Sequence, residues 1–93
     1  MRRVPDWSRP VFQWDEGNEN HLIARHDVYP EEAEQVFYNG PHIRRVGDRY
    51  LIYGHDDAGR YLLLVCVLRG DAIRIFSGRT MTREERRLYA RYR

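Results

Sequence analysis

The chain has no lysine. All sixteen of its basic side chains other than histidine are arginine. It has one cysteine, Cys66, so no disulfide framework is possible. That usage suits a reducing, cytoplasmic setting in which Cys66 serves as a small buried apolar residue. No apolar run is long enough to span a membrane, and the Arg2-Arg3 start lacks the apolar stretch of a signal peptide. The four histidines and the single cysteine lack zinc-binding spacing, and His21 and His26, five apart, fit one helical face poorly. No glycine-rich loop follows a strand and opens a helix to cradle phosphate. Repeats, linkers and low-complexity stretches are also missing. These absences leave one small domain, residues 10–93, behind a loose basic tail at residues 1–9. No cofactor and no metal are expected.

What is present is an asymmetry of charge. Residues 11–40 carry seven acids against one arginine, and residues 41–93 carry twelve arginines against six acids. The planar guanidinium fork suits bidentate phosphate contact and stacking on bases, so an arginine-only basic half leans towards nucleic acid. The same composition also fits an ordinary solvated surface, and the charge polarity narrows the gap.

Periodicity organises the chain around its C-terminal third. Leu62 to Leu68 is continuously apolar and flanked by Gly59 and Gly70, which fits a central, fully buried strand. Gly70-Asp71 reverses the chain into a strand over Ala72 to Arg79, with Ile73, Ile75 and Ser77 on one face and Arg74 and Phe76 on the other. Thr82 to Glu85 reads as a capping box for a last helix bearing Leu88, Tyr89 and Tyr92 on one side. Upstream, Val11 to Trp14 reads as an edge strand. Asp15 caps a helix over Glu16 to Arg25 whose inner face holds Leu22, Ile23 and His26. Tyr29-Pro30 opens a second helix with Ala33, Val36 and Phe37 as its apolar stripe. Strands over His42 to Val46 and Arg49 to His55 follow. The order is strand, two helices, four-strand antiparallel meander, helix: an α+β domain with its helices on one face of the sheet.

Two spaced motifs carry a family resemblance. The opening, with Phe12, Trp14, Asp15, Glu16, Arg25, His26, Val28, Glu31, Glu32, Ala33, Val36 and Phe37, resembles the start of BrnT-type toxins. The ending, with Ile73, Arg74, Ser77, Arg79, Thr82, Glu85, Arg86 and Tyr89, is similar to that family's Ile-Arg-x-x-Ser-Ala-Arg-x-x-Thr-x-x-Glu-Arg-x-x-Tyr. Asn18 and Leu22 stand where the family often has lysine and asparagine, Asp27 replaces a glycine and Gly78 an alanine. The resemblance implies a RelE-like fold and a ribonuclease toxin of a bacterial type II toxin–antitoxin system. It also implies a small DNA-binding antitoxin partner, through which alone the complex would touch DNA.

RNA cleavage by a 2′-hydroxyl needs a proton acceptor, charge stabilisation of the phosphorane and a proton for the leaving oxygen. Arginine suits only the second service. Arg74 and Arg79 are the candidates for it, with Arg49 joining them if the adjacent strand presents the same face. The competing assignment pairs these arginines with Asp48, Asp71 or Glu85 on the surface. His26 is the candidate acid/base, weighed against a cap or buried hydrogen-bonding role. Tyr89 is a candidate proton donor or base-stacking ring, weighed against packing. Arg25 and Arg86, at matched motif positions, are candidate RNA contacts. The leading expectation is a metal-independent endoribonuclease toxin. The alternative is a non-catalytic RelE-like module that binds nucleic acid or the antitoxin through the same surface.

Overall fold

The computed structural model describes residues 6–92. Its elements are α1 (Glu16–His26), α2 (Pro30–Tyr38), β1 (His42–Val46), β2 (Arg49–His55), β3 (Tyr61–Arg69), β4 (Ala72–Thr80) and α3 (Arg83–Ala90). The four strands form one antiparallel meander in the order β1-β2-β3-β4. The α+β class and the order of helices, meander and final helix are as the sequence leads one to expect. The expected first strand contracts to a single parallel bridge between Phe12 and Ile73, at the outer edge of β4. Of the expected tail, residues 1–5 lie outside the described residues, while Trp7 sits on the core against Phe37 and Tyr50.

The helices do not share one face of the sheet. Leu62, Leu64 and Cys66 of β3 join Leu22 of α1 and Ala33, Val36 and Phe37 of α2 in one core. Leu63 points the other way and joins Tyr53, Met81 and Tyr89 of α3 in a second. Alternate residues of a strand face opposite sides of its sheet. A strand apolar on both faces therefore needs cover on both, and α3 supplies the second. It covers only one end of that face: Leu63 is 7% exposed, whereas Val65 and Val67 are only half-buried.

The register of β4 also departs from simple alternation. Val65 pairs with Ser77 and Cys66 with Ile75, so Phe76 is an extra residue in a β-bulge. The bulge turns Ser77 away from the face of Ile73 and Ile75 and puts Gly78 there instead, opposite Leu64. A side chain at 78 would have no room: its Cβ would lie 2.8 Å from Leu64 Cδ2 and 3.3 Å from Leu22 Cδ2. Leu64, with Leu22 beside it, thus occupies the space that a methyl group at 78 would need.

At the far end of the strands, Arg60 ties the β2–β3 turn to the helices. It donates to the Asp27 carbonyl at 2.8 Å and pairs with Glu32 at 3.1 Å and buried Asp56 at 3.4 Å. Asp27 closes α1 with φ +54°, a left-handed cap that asparagine and aspartate tolerate better than most residues.

Gly78→Ala is expected to destabilise the fold by about 1–3 kcal/mol through overpacking. In a Leu64→Ala background the same change costs less, because the nearest opposing methyl group is gone, and chemical denaturation of the double-mutant cycle reads that coupling.

Candidate RNA-contact face

The bulge at Phe76 has a chemical consequence. Arg74 and Arg79 are five residues apart, an odd number that would place them on opposite faces of a regular strand. The extra residue restores them to one face, Arg74 opposite Val67 and Arg79 opposite Leu63. Arg49, on β2, reaches the same face, its guanidinium carbon 5.2 Å from the centroid of the Phe76 ring. Arg44 of β1 pairs with Leu51 and shares the face as well. The uncovered end of the sheet therefore presents arginines around half-buried Leu51, Val65, Val67, Phe76 and Ser77.

Two of these arginines are held by carboxylates. Arg79 Nη1 and Nη2 donate to Glu85 Oε1 and Oε2 at 2.6 and 2.7 Å, and Nη1 also donates to the Thr80 carbonyl at 3.2 Å. Arg74 Nη1 and Nη2 donate to Asp15 Oδ2 and Oδ1 at 2.7 and 3.2 Å. Both acids also cap helices: Glu85 accepts from the Thr82 amide, and Asp15 from the Asn18 amide. The Arg79 bond, opposed by some burial and assisted by the Thr82 amide, holds the Glu85 carboxyl down at about 2. Arg74 holds Asp15 below the ordinary carboxylate range, again with help from the Asn18 amide. A guanidinium has five N–H donors. Glu85 and Thr80 take three of those on Arg79 and leave two; Asp15 takes two of those on Arg74 and leaves three. Each clamp fixes the fork and leaves donors for a second anion.

His26, the last residue of α1, is half-buried, and its ring has no hydrogen-bond partner among the described residues. The cap is Asp27, so the capping role weighed for His26 is not the one it plays. Burial pushes its pKa below the ordinary 6.5, and the positive charges of His21, Arg25 and Arg79 push the same way. The imidazole is therefore neutral at pH 7, able to accept a proton, and within the field of Arg79. His21 lies against it edge-on, with ring centroids 5.5 Å apart.

The remaining candidates separate. Tyr89 is 1% exposed and its hydroxyl donates to the Gly40 carbonyl at 3.4 Å, so it packs α3 onto the sheet and presents no ring to the open face. Arg25 is exposed on α1, next to His26, and its charge acts on that imidazole together with that of Arg79. Arg86 lies on α3 over the Tyr61 ring, 4.6 Å from its centroid. The buried Cys66 thiol is pushed up to about 12 by desolvation and is no nucleophile. No group of three or more His, Cys, Asp and Glu among the described residues could hold a metal ion, and none of their helices is long and apolar enough to cross a membrane. Of the carboxylates the sequence offers as partners for these arginines, Glu85 is found on Arg79. Asp15 is visible in the sequence only as a cap, and the fold adds Arg74 as its second partner. Asn18, where the family often has lysine, is 2% exposed and donates to the Gln13 and Ile75 carbonyls. It satisfies the edge of β4 from inside the protein.

The architecture defines a small α+β domain with a four-strand meander between two helices and a third. The profile of the family described as "Ribonuclease toxin, BrnT, of type II toxin-antitoxin system" matches residues 14–85. The chain belongs to that BrnT family of ribonuclease toxins. Its fold is similar to the 1.1 Å crystal structure of the Brucella abortus ribonuclease toxin BrnT, with a TM-score of 0.66 and 18% identity. That match covers 81% of this chain and 100% of the other. No curated protein sequence matches the chain significantly. Membership implies an RNA substrate and a cognate antitoxin.

The Glu85 clamp gives a pH dependence with a definite sign. The folded-state pKa of Glu85 is about 2 against an ordinary 4.5. Its stabilising contribution is therefore complete above 4.5 and disappears as pH falls towards about 2. The Arg79 side chain is 46% exposed, so solvent screening limits the effect to about 1 kcal/mol or less. Denaturation of Glu85→Gln, which keeps the capping bond, is expected to show that deficit at pH 7 and a closing gap with wild type in acid.

Proposed function

We propose that this chain is a metal-independent endoribonuclease toxin that holds RNA on the open face of its sheet. The observation that carries this reading is the bulge at Phe76, which sets Arg74 and Arg79 on one face beside Arg49, with the neutral imidazole of His26 in the field of Arg79. The 2′-oxygen attacks its own phosphorus while His26 takes the hydroxyl proton. The bond from phosphorus to the 5′-oxygen breaks, and that oxygen takes a proton from water. The products are a 2′,3′-cyclic phosphate and a 5′-hydroxyl. The free donors of Arg79 and Arg74 stabilise the charge that develops on the phosphorane oxygens. Arginine supplies the cationic charge the reaction needs, so the reading requires no metal ion. Arg49, with Arg44 beside it, draws the strand onto the face, and Phe76 offers a ring edge to a base. The family supports a cognate antitoxin as partner. In the proposed reading this antitoxin is small and DNA-binding, it alone brings the complex to DNA, and the toxin acts in the cytoplasm.

The alternative of a non-catalytic RNA-binding module has one observation behind it: both catalytic arginines are already clamped by carboxylates. Purified protein free of antitoxin distinguishes the two. Cleavage of a structured RNA is expected in EDTA, with cyclic-phosphate ends, falling about 100–1000-fold in Arg79→Ala. Salt-dependent RNA binding without cleavage would leave the binding module, and cleavage that needs added divalent cation would overturn metal independence.

The His26 assignment predicts a pH profile. Because burial and its cationic neighbours lower the imidazole pKa, the rate should rise with pH to a plateau reached through an inflection below 6.5. In His26→Gln the rate falls and the inflection goes. An inflection that survives the substitution assigns the proton to another group.

A further inference from the structure

A groove of about 390 Å³ runs between α3 and the start of β3, outside the sheet face described above. Tyr61, Met81 and Tyr89 form its floor, and Arg83, Arg86 and Arg87 its rim. On a helix with 3.6 residues per turn these arginines share one stripe at i, i+3 and i+4. No acidic residue lines the groove. Unlike Arg60, Arg74 and Arg79, none of the three rim arginines is paired with a carboxylate among the described residues. The guanidinium carbon of Arg86 lies 4.6 Å from the centroid of the Tyr61 ring, and Arg86 is exposed, within reach of a second flat group. α3 begins three residues after Thr80, the end of the strand that carries Arg74 and Arg79. Its arginine stripe therefore extends the cationic surface of the sheet round the helix.

Taking the sheet face as RNA-binding, we infer that this groove is a second nucleotide subsite, which takes an unpaired base and its flanking phosphates from RNA beyond the cleavage point. The base stacks on Arg86 above the apolar floor, and Arg83 and Arg87 grip the phosphates. An acidic protein segment would also meet the rim, but the flat stacked guanidinium and the arginine-only rim match a base and phosphate better. The groove gives the toxin a longer RNA footprint than the sheet face alone and a preference for single strands.

The test is the affinity ratio between two uncleavable 2′-O-methyl RNAs, one of about four nucleotides and one of about ten, within the usual range of single-strand site sizes. Wild type is expected to favour the longer RNA by about tenfold or more, the value of one stacked base with its phosphates. In Arg83→Ala/Arg87→Ala, two exposed positions, that ratio falls towards one. Arg44→Ala/Arg49→Ala should weaken both RNAs and keep the ratio. A wild-type ratio that persists in Arg83→Ala/Arg87→Ala overturns the subsite and leaves the sheet-face reading standing. The same persistence together with weakened binding of co-purified antitoxin assigns the groove to a protein. Wild type that binds neither RNA overturns the subsite and the sheet-face reading together.

Discussion

The architecture follows from β3, a strand that is apolar on both faces. One row, Leu62, Leu64 and Cys66, is buried under α1 and α2, and Leu63 is buried under α3. Burial of apolar area is the main favourable term in folding, at about 25 cal/mol per Å². A strand with two apolar faces cannot stay in a two-layer protein with one side in water. The last helix is short, and eight residues cover only one end of the second face. The other end stays open with Val65 and Val67 half-buried on its floor, and there the arginines gather. The open face is thus the part of a three-layer fold that its third layer is too short to cover.

The clamps on the arginines belong to the same economy of parts. Arg74 is anchored to the N-terminus of α1 and Arg79 to the N-terminus of α3 by acids that also cap those helices. Each acid joins a helix to the sheet and orients a fork with donors to spare. Lysine, a flexible point charge, would not be fixed this way. The acidic helical layer on the opposite side repels a phosphate backbone, so the charge polarity favours approach of RNA sheet-first.

The elements were legible because their signals are local. Capping at Asp15 and Thr82, proline at the start of α2 and glycine turns place the helices and strands within a residue or two. The placement of α3 was not, because the alternation within β3 is hidden when every residue is apolar. The bulge was hidden too: nothing in Ile-Phe-Ser-Gly announces which residue goes unpaired. It becomes visible only when Gly78 meets Leu64 and Leu22 in the core. The site was half legible. Arg74 and Arg79 were found for their chemistry, but their common face depends on the bulge and their clamps on contacts across 59 and six residues of chain. Tyr89 shows the limit in the other direction, since a motif position with useful chemistry is here a buried packing residue.

The central claim is that RNA lies on the bulged sheet face and touches these particular arginines. Side-chain Nε–H signals of arginine, followed by NMR while an uncleavable RNA is added, report on that claim residue by residue. The account predicts saturable shifts for Arg49, Arg74 and Arg79 and none for Arg45, which lies over Tyr50 on the other face of the sheet. Shifts at Arg45 with silent Arg49, Arg74 and Arg79 would contradict it and move the RNA to the other side of the sheet.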